Sequence, residues 1–259
     1  MLAFVVPVKS KVVTSDWTYF SRLVNRSINS ICNQSNLDFK VIVACHEIPK
    51  TNFENDPRVT FLQVDFAPPV LMENQMNHWI KEADKGKKIK LAVEYAKTKG
   101  ISYVMTVDSD DCVSNKICDF VHRNASKEAW GWYSNKGYMY PEGKKYSYLN
   151  LKNFHTLCGS CVIIKPELID FMYGKNYHFD HERTDFGNGL SLKALPFPAA
   201  IYSMLNGANH FLDNVEMKKK HKPLMAFSFN ALRILLKRLL KYRLMPMVFI
   251  KKEFAIYNV

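Results

Sequence analysis

Three carboxylates stand together in the middle of the chain, directly after a run of mostly apolar residues. Asp108, Asp110 and Asp111 follow the segment 101–107. Clustered carboxylates repel one another, so at least one of them must take up a proton or bind a cation. Mg²⁺ and Mn²⁺ prefer hard oxygen ligands and bridge carboxylates to phosphates. The cluster therefore predicts a divalent-metal site that binds a phosphorylated ligand.

Other classes of protein also place acids in this way. An EF-hand loop that began at Asp108 would need glycine at its sixth position and glutamate at its twelfth, but Val113 and Asp119 occupy them. A haloacid-dehalogenase-type phosphatase carries Asp-x-Asp at the opening of its domain, whereas about a hundred residues with their own strand and helix pattern come first here. A solvated acidic turn after a core strand stays open as an alternative.

The acids need a strand and a sheet to position them. An apolar run without polar alternation is typical of a strand buried on both faces of a parallel sheet, and open α/β sheets bind ligands at the carboxyl ends of such strands. Similar runs precede this one, with helical spacing between them, so right-handed βαβ crossovers are expected. The predicted strands are 2–8, 39–45, 59–65 and 101–107, and the predicted helices include 17–31 and 89–98.

Polar residues near the ends of these elements are candidates for binding a nucleotide. Glu47 and Asp65 follow the second and third strands, where a carboxylate can accept from a uracil N–H or from ribose hydroxyls. Lys88 precedes the predicted helix 89–98, and the exposed N–H groups at a helix start attract anions as a lysine does. We expect Lys88 to contact a diphosphate. Surface turns are the alternative for all three residues.

An aromatic-rich segment follows, between residues 130 and 140, and predicts a β-hairpin. Trp132 and Tyr138 are its candidates for contact with a sugar, because sugar C–H faces pack on aromatic rings. Aromatic pairs in a core give the same pattern.

The succession of these features over residues 2–212 resembles the GT-A glycosyltransferases, and the form Asp108-Ser109-Asp110-Asp111 is similar to their family 2, inverting branch. The resemblance implies an α/β, Rossmann-like fold with a mostly parallel central sheet and flanking helices. It also implies a nucleotide-sugar donor, with UDP expected and GDP and dTDP open, and a Mn²⁺ or Mg²⁺ cofactor. The implied activity is that of a hexosyltransferase.

The resemblance assigns roles to individual residues. Pro7 and Val8 would lie against the nucleotide base. Asp108 and Ser109 would contact the nucleotide-sugar, and the backbone at Gly159 and Ser160 would approach the donor sugar. The metal ligands would be Asp110 and His210.

An inverting transferase needs a carboxylate that deprotonates the acceptor hydroxyl. The segment 177–185 is polar and acid-rich and lies where the family carries that base. The family's Glu-Asp dipeptide is missing, so Asp180, Glu182 and Asp185 all stay candidates, with Asp185 favoured and His181 a further polar candidate.

The positive charge of the chain is concentrated near its C-terminus. Of the net charge of +12, residues 218–259 carry +10, from eleven Lys or Arg and one acid; the other residues carry 25 bases and 23 acids. The basicity is therefore no sign of nucleic-acid binding by the main domain. We expect a GT-A catalytic domain at 1–215, with a nucleotide-sugar half at about 1–112 and an acceptor half at about 113–215, and a basic tail at 216–259.

The tail predicts an amphipathic helix, because Leu232, Leu235, Leu239 and Tyr242 share one helical stripe. Such a helix binds an anionic membrane surface or packs on the domain by its leucine face. No signal peptide or run of 18 apolar residues is present, and six cysteines in apolar settings fit a reducing compartment. A cytoplasmic protein is expected, with a peripheral site at the inner face of the cell membrane open.

These patterns favour a metal-dependent glycosyltransferase that moves a sugar from a nucleotide-sugar to a glycan or lipid-linked acceptor by inverting single displacement. Two alternatives stay open: a nucleotidyltransferase acting on sugar phosphates, and a non-catalytic module that binds a membrane surface.

Overall fold

The computed structural model describes residues 1–71, 78–207 and 241–259. The first half of the chain alternates strands and helices as the sequence predicts. Two helices, α1 and α2, follow strands of one sheet and return the chain to it, because each carries an apolar stripe that the sheet covers. The elements are β1 (Leu2–Pro7), α1 (Trp17–Cys32), β2 (Phe39–Cys45), β3 (Val59–Gln63), α2 (His78–Thr98) and β4 (Tyr103–Thr106).

A seven-stranded sheet forms the centre of the fold, in the order β10-β6-β9-β4-β1-β2-β3. The strands β4, β1, β2 and β3 run parallel, β10 is parallel to β6, and β9 is antiparallel to its neighbours β4 and β6. The prediction of an α/β fold with a mostly parallel central sheet is therefore confirmed. The added strands are β6 (Gly131–Tyr133), β9 (Val162–Ile164) and β10 (Lys193–Ala194).

A second, five-stranded sheet has the order β12-β8-β7-β11-β5. It includes the predicted aromatic hairpin, whose two arms are β7 and β8. Its strands are β5 (Cys112–Val113), β7 (Gly137–Pro141), β8 (Tyr146–Asn150), β11 (Ala200–Met204) and β12 (Tyr242–Pro246), and the remaining α-helices are α3 (Ile117–Asn124) and α4 (Lys251–Phe254).

The core lies between the first sheet and its helices. Every residue of β1 and β4 is buried, which explains why their sequences lack polar alternation. Helix α1 begins at an N-cap, Asp16, whose side chain accepts from the Tyr19 N–H, and it buries Phe20, Val24 and Ile28. Each such apolar side chain stabilises the fold by about 1.5–3 kcal/mol.

Helix α2 begins well before the predicted position. The segment from Asp84 to Lys88 contains Gly86 and four charged residues, and the sequence pattern places it before the helix, but it lies inside α2. A Cβ on Gly86 would overlap the carbonyl oxygen of Tyr177, so this glycine permits a close contact with another segment and does not end the helix. Lys88 is consequently in the middle of the helix.

The C-terminal segment 242–259 is part of the folded body. Strand β12 pairs with β8, and Ile250, Phe254 and Ile256 are buried in a small cluster with Tyr138 and Tyr140. The expected separate tail from residue 216 is therefore wrong for this segment. Burial of these apolar side chains against the domain stabilises the folded protein, whereas a separate tail would leave them in water. Residues 208–240, with most of the predicted leucine stripe, lie outside the described residues. Within the described ranges, no helix combines the length and apolar character needed to cross a bilayer.

Candidate active site

Asp108 lies two residues beyond β4, at the carboxyl edge of the central sheet. Its Oδ1 is 2.6 Å from Nζ of Lys85, which projects from α2. Burial alone would lower the pKa of Lys85, but attraction to Asp108 and Glu82 raises it above its ordinary value, so the lysine stays charged. The Asp108 N–H donates to Oγ of Ser160 at 2.8 Å. Asp108 thus joins α2, β4 and the loop before β9.

Asp111 is directed into the protein and is buried. Its carboxylate accepts hydrogen bonds from Oγ of Ser160 at 2.7 Å, from Sγ of Cys158 at 3.2 Å and from the Ser203 N–H at 2.9 Å. Burial, with repulsion from Asp110 and Asp108, raises the pKa of Asp111 well above its ordinary value. These contacts tie the loop 158–161 to β11, so Asp111 holds the site together and does not face a ligand.

Asp110 lies between these two acids and is also buried. Its Oδ2 accepts from Nδ2 of Asn206 at 2.7 Å, and its main-chain carbonyl oxygen accepts from Nη2 of Arg26 at 3.3 Å. Burial and the charge of Asp108 raise the pKa of Asp110, while nearby Lys9 and Arg26 oppose the shift. The site thus couples three carboxylates to several cations, and any added cation would relieve the repulsion that raises these pKa values.

The donor chemistry of Asp108 and Asp110 suits a hard divalent ion, since both offer carboxylate oxygens. Across the described ranges, however, no group of three or more His, Cys, Asp or Glu side chains is arranged to hold a metal ion. Mg²⁺ is commonly held by one or two carboxylates with substrate phosphates supplying further oxygens. The two acids fit that kind of site, and His210, the second predicted ligand, lies outside the described residues.

Gly159 lies against the Asp108–Lys85 ion pair. A Cβ at this position would be 2.8 Å from Oδ2 of Asp108 and 3.1 Å from Nζ of Lys85. The backbone at Gly159 therefore packs directly against the ion pair, at a distance that a larger residue would disturb. The predicted approach of Gly159 and Ser160 to a donor sugar stays a prediction.

Replacing Gly159 with alanine should displace the Asp108–Lys85 pair while leaving the fold largely intact, because the atoms it meets are the ends of side chains. We expect turnover to fall by about tenfold, as for a displaced electrostatic contact, and the free energy of unfolding to fall by less than about 1 kcal/mol. Gly174→Ala is the control, since its Cβ would meet nothing closer than 3.7 Å. Equal turnover in the two variants would contradict the expectation.

The buried Asp111 should make stability depend on pH. Because its pKa is raised in the folded state, the native protein keeps a proton that the unfolded chain has released. The stabilisation is complete below the unfolded pKa and is lost as the pH rises through the folded pKa. Asp111→Asn, which mimics the protonated acid, should therefore gain stability relative to the wild type as the pH rises above the ordinary pKa of an aspartate, by at most about 1.4 kcal/mol per pH unit. Urea unfolding at several pH values tests this; a constant difference would contradict it.

Lys88 does not occupy the predicted position. Its side chain is fully buried, and its Nζ donates to the Val8 carbonyl oxygen at 2.8 Å and to Oδ2 of Asp84 at 2.7 Å. Burial lowers the pKa of Lys88. The prediction of a diphosphate contact at a helix start is wrong, because the helix begins earlier and turns this lysine inward. Lys88 instead supports the chain that leaves β1.

The other predicted nucleotide-binding residues lie along the same edge of the sheet. Pro7 and Val8 end β1 and are buried. Glu47 is partly exposed and is already engaged, with its carboxylate accepting from Oγ of Ser10 and from the Lys11 N–H at 2.9 Å. Asp65 is exposed after β3, and Ser109 is buried beside Asp110. All five are at the carboxyl ends of β1, β2, β3 and β4, as the parallel order requires.

A pocket of about 410 Å³ lies beside this edge, between the loop after β3 and the start of α2. Its walls include Phe66, Trp79 and Ile80, and its polar side chains are Asp84, Lys87 and Asn176. Trp79 is largely exposed there. Aromatic walls with a few polar groups are typical of small-molecule sites.

Trp132 and Tyr138 are not available to an acceptor sugar in this structure. Trp132 is buried and packs against the rings of Tyr103 and Phe120. Tyr138 is buried against Phe254. The prediction that either side chain contacts a sugar is wrong, because both aromatic rings fill cores on their sheets.

The candidate base residues lie in the irregular segment between β9 and β10. Asp180 is 3.3 Å from Nη2 of Arg183, and Asp185 accepts from the Gly187 N–H within an exposed turn. Glu182 is exposed and acts electrostatically on His181. His181 also experiences the charges of Lys85 and Asp108, although burial lowers its pKa most strongly. The segment therefore lies near enough to the site for the charges of Lys85 and Asp108 to affect the pKa of His181.

Several residues of the site were not singled out from the sequence. Lys85 was grouped with its neighbours in a basic turn, and only the direction in which α2 presents it shows its pairing with Asp108. Asn206 and Arg26 contact Asp110 from β11's far end and from α1. Because both residues are far from Asp110 in the sequence, no local pattern links them to it. The one usable indication was Arg26 itself, a charged residue on the apolar face of α1.

No protein-family model matches the chain, and a search of curated proteins also gives no match. Among solved structures, S. aureus TarS 1-349 aligns with a TM-score of 0.44 and 12% identity over 78% of this chain and 60% of that one. The same protein in complex with UDP-GlcNAc gives a TM-score of 0.42 at 10% identity, covering 92% of this chain and 66% of that one. The glycosyltransferase GlyE of Streptococcus pneumoniae TIGR4 gives 0.37 at 11%, covering 93% and 64%. The chain thus spans about three-fifths of TarS 1-349 and 36% of the longer TarS chain.

Proposed function

We propose that the chain is a metal-dependent glycosyltransferase that transfers a sugar from a nucleotide-sugar, with UDP as the expected nucleotide, to a glycan or lipid-linked acceptor. The observation that carries the proposal is the meeting of Asp108, Lys85 and Gly159 at the carboxyl edge of the sheet. An acid, a charged lysine and a glycine backbone come together there from three separate parts of the chain. Carboxylates that can share a divalent cation with phosphates, beside a lysine that attracts anions, suit a sugar diphosphate.

Each group has a role in binding the donor. Lys85, which is charged and adjacent to Asp108, is the cation of the site that we assign to the diphosphate in place of Lys88. The backbone of Gly159 and Ser160 is the proposed neighbour of the donor sugar. Asp108 and Asp110 would hold Mn²⁺ or Mg²⁺, with His210 as a further proposed ligand, and the bound ion would stabilise the departing nucleoside diphosphate as a Lewis acid.

Transfer with inversion requires a base on the opposite side of the sugar from the leaving diphosphate. Asp180, Glu182 and Asp185 are the acids of the segment that approaches the site. Asp180 pairs with Arg183 and Asp185 closes a turn, whereas Glu182 is exposed. We therefore test Glu182 first, and Asp185 second. Replacing the residue that acts as the base should lower kcat and leave KM largely unchanged, because the base acts only in the transition state.

The proposal is tested by incubating the protein with a panel of nucleotide-sugars and Mn²⁺ and measuring the released nucleoside diphosphate. Asp110→Asn should lower release by about 100-fold or more. Asp119→Asn is the control, since Asp119 forms only an exposed ion pair with Arg123 on α3. Unchanged release in Asp110→Asn would contradict the proposal, and pyrophosphate release from a nucleoside triphosphate would favour a nucleotidyltransferase.

A further inference from the structure

An exposed apolar surface is formed by β8, β12 and the turn that follows β12 near the C-terminus. Leu244, Val248 and Phe249 are 64%, 74% and 72% exposed, and Tyr148 is 37% exposed. Large apolar side chains rarely cluster on the surface of a soluble protein without a partner. We call Leu244, Val248 and Phe249, with Tyr146 and Tyr148, the C-terminal patch.

The pairing of β8 with β12 places part of the patch on one face of the sheet, and Val248 and Phe249 follow directly in the turn after β12. Leu244 lies opposite Tyr148, and Pro246 lies opposite Tyr146, and directly opposed residues of an antiparallel pair share a face of the sheet. The rings of Tyr146 and Tyr148 contact each other at 5.6 Å. The other face carries Met245 and Leu149, which pack on the buried cluster of Ile250 and Phe254. The strand pair is thus apolar on both faces, although only one of them is covered by the described residues.

Basic residues flank the segments of the patch along the chain. Lys144 and Lys145 precede β8, and Lys251 and Lys252 follow Phe249; all four are exposed. The nearby acids are engaged elsewhere, Glu253 with Lys116 at 2.7 Å and Glu142 with Arg26 at 2.8 Å. The sequence 218–243, which leads into β12, adds nine Lys or Arg and no acid.

We propose that the C-terminal patch is a membrane-contact surface that inserts Val248 and Phe249 into the interface of an anionic bilayer. The exposed apolar and tyrosine side chains would contact the acyl chains and the interface of such a bilayer. The flanking lysines would contact its negatively charged headgroups. An acidic protein partner would match only the positive charge around the patch. A second copy of this chain would be repelled, because it carries the same positive charge there. The bilayer is the occupant that uses both the apolar face and its basic rim.

The test is co-sedimentation of the full chain with vesicles. Binding is expected to vesicles that mix phosphatidylserine with phosphatidylcholine, to be weaker on phosphatidylcholine alone, and to fall with added salt. Val248→Ser/Phe249→Ser should lower the partition coefficient by at least about tenfold, and Lys251→Glu/Lys252→Glu by at least about tenfold. Phe171→Ser is the matched control, because Phe171 is an exposed phenylalanine far from β12 in the chain, and it should bind as the wild type does.

Three outcomes would overturn the proposal. The wild type could fail to bind the mixed vesicles, or both double variants could bind as tightly as the wild type, which would assign binding to another segment. The chain could also sediment without vesicles or form a dimer in light scattering that the Val248/Phe249 variant abolishes, which would make the patch an interface between copies through the edge strand β12. Circular dichroism and Tm confirm that each variant is folded. None of these readouts uses catalysis, so they stand apart from the proposed enzymatic activity.

Discussion

Replacing Lys85 with alanine is expected to lower the turnover of a nucleotide-sugar by about 100–1,000-fold. Lys85 is the cation in direct contact with Asp108, at 2.6 Å, and its raised pKa keeps it charged through the neutral range. Without it, the repulsion among Asp108, Asp110 and Asp111 increases, and the proposed leaving diphosphate loses a positive charge. Steady-state kinetics with the best donor from the panel measure the effect.

The matched control for this prediction is Lys90→Ala. Lys90 lies on the same helix and is in an ion pair with Asp170, but that pair is exposed, and exposed pairs contribute about 0–1 kcal/mol. We expect Lys90→Ala to keep wild-type turnover and Lys85→Arg to recover part of it, because charge is restored with a different shape. If Lys85→Ala retained full turnover while still folded, Lys85 would be a structural residue only.

Replacing Arg26 with alanine should give the largest loss of stability among the variants considered, about 3–5 kcal/mol. Arg26 is fully buried, and its guanidinium donates to both carboxylate oxygens of Glu142, at 2.8 and 2.9 Å. It also donates to the carbonyl oxygens of Tyr257 and Asp110. The variant would leave a largely buried carboxylate and two acceptors without their cation. Urea unfolding at neutral pH measures the change in free energy.

Arg22→Ala serves as the control, since Arg22 lies on α1 one turn earlier and is exposed; its change should stay within about 0.5 kcal/mol. A second comparison separates a lost ion pair from a lost packing contact. If Arg26→Met/Glu142→Leu is much less destabilised than Arg26→Ala, the cost comes from the charge left unpaired. A loss below about 1 kcal/mol in Arg26→Ala itself would show that water replaces the guanidinium, and that Arg26 does not hold the Asp110 loop.

The elements that bear the acids could be predicted from the sequence because their signals are local. Strand β4 is a short apolar run, and the position of Asp108 after it depends only on the chain order and on the parallel sheet. Gly159 and Ser160 lie against Asp108, and their expected approach to a donor sugar stays a prediction. The resemblance to known enzymes placed these features in one site before any contact was visible.

The errors arose where a residue's environment is set by distant segments. The sequence pattern places Gly86 before the helix, but the reason for a glycine there is the carbonyl of Tyr177, about ninety positions away. That error shifted the helix start, so Lys88 is buried and Lys85 is the lysine that pairs with Asp108. Trp132 is in a buried strand and could not be told from an exposed aromatic by pattern alone. For the same reason, the burial of Phe254 against Tyr138 gave no sign in the sequence.

The most direct test of the proposed site is the thermal stability of the protein with UDP, measured with and without Mn²⁺. Binding to the folded state alone raises Tm. With UDP at about a hundred times its dissociation constant, Mn²⁺ present, the wild type should gain about 5–10 °C. The gain should largely disappear when Mn²⁺ is omitted or when Asp110 is replaced by asparagine. An equal gain in all three conditions, or no gain with UDP, GDP or dTDP in the presence of Mn²⁺, would contradict a metal-dependent nucleotide-sugar site at Asp108 and Asp110.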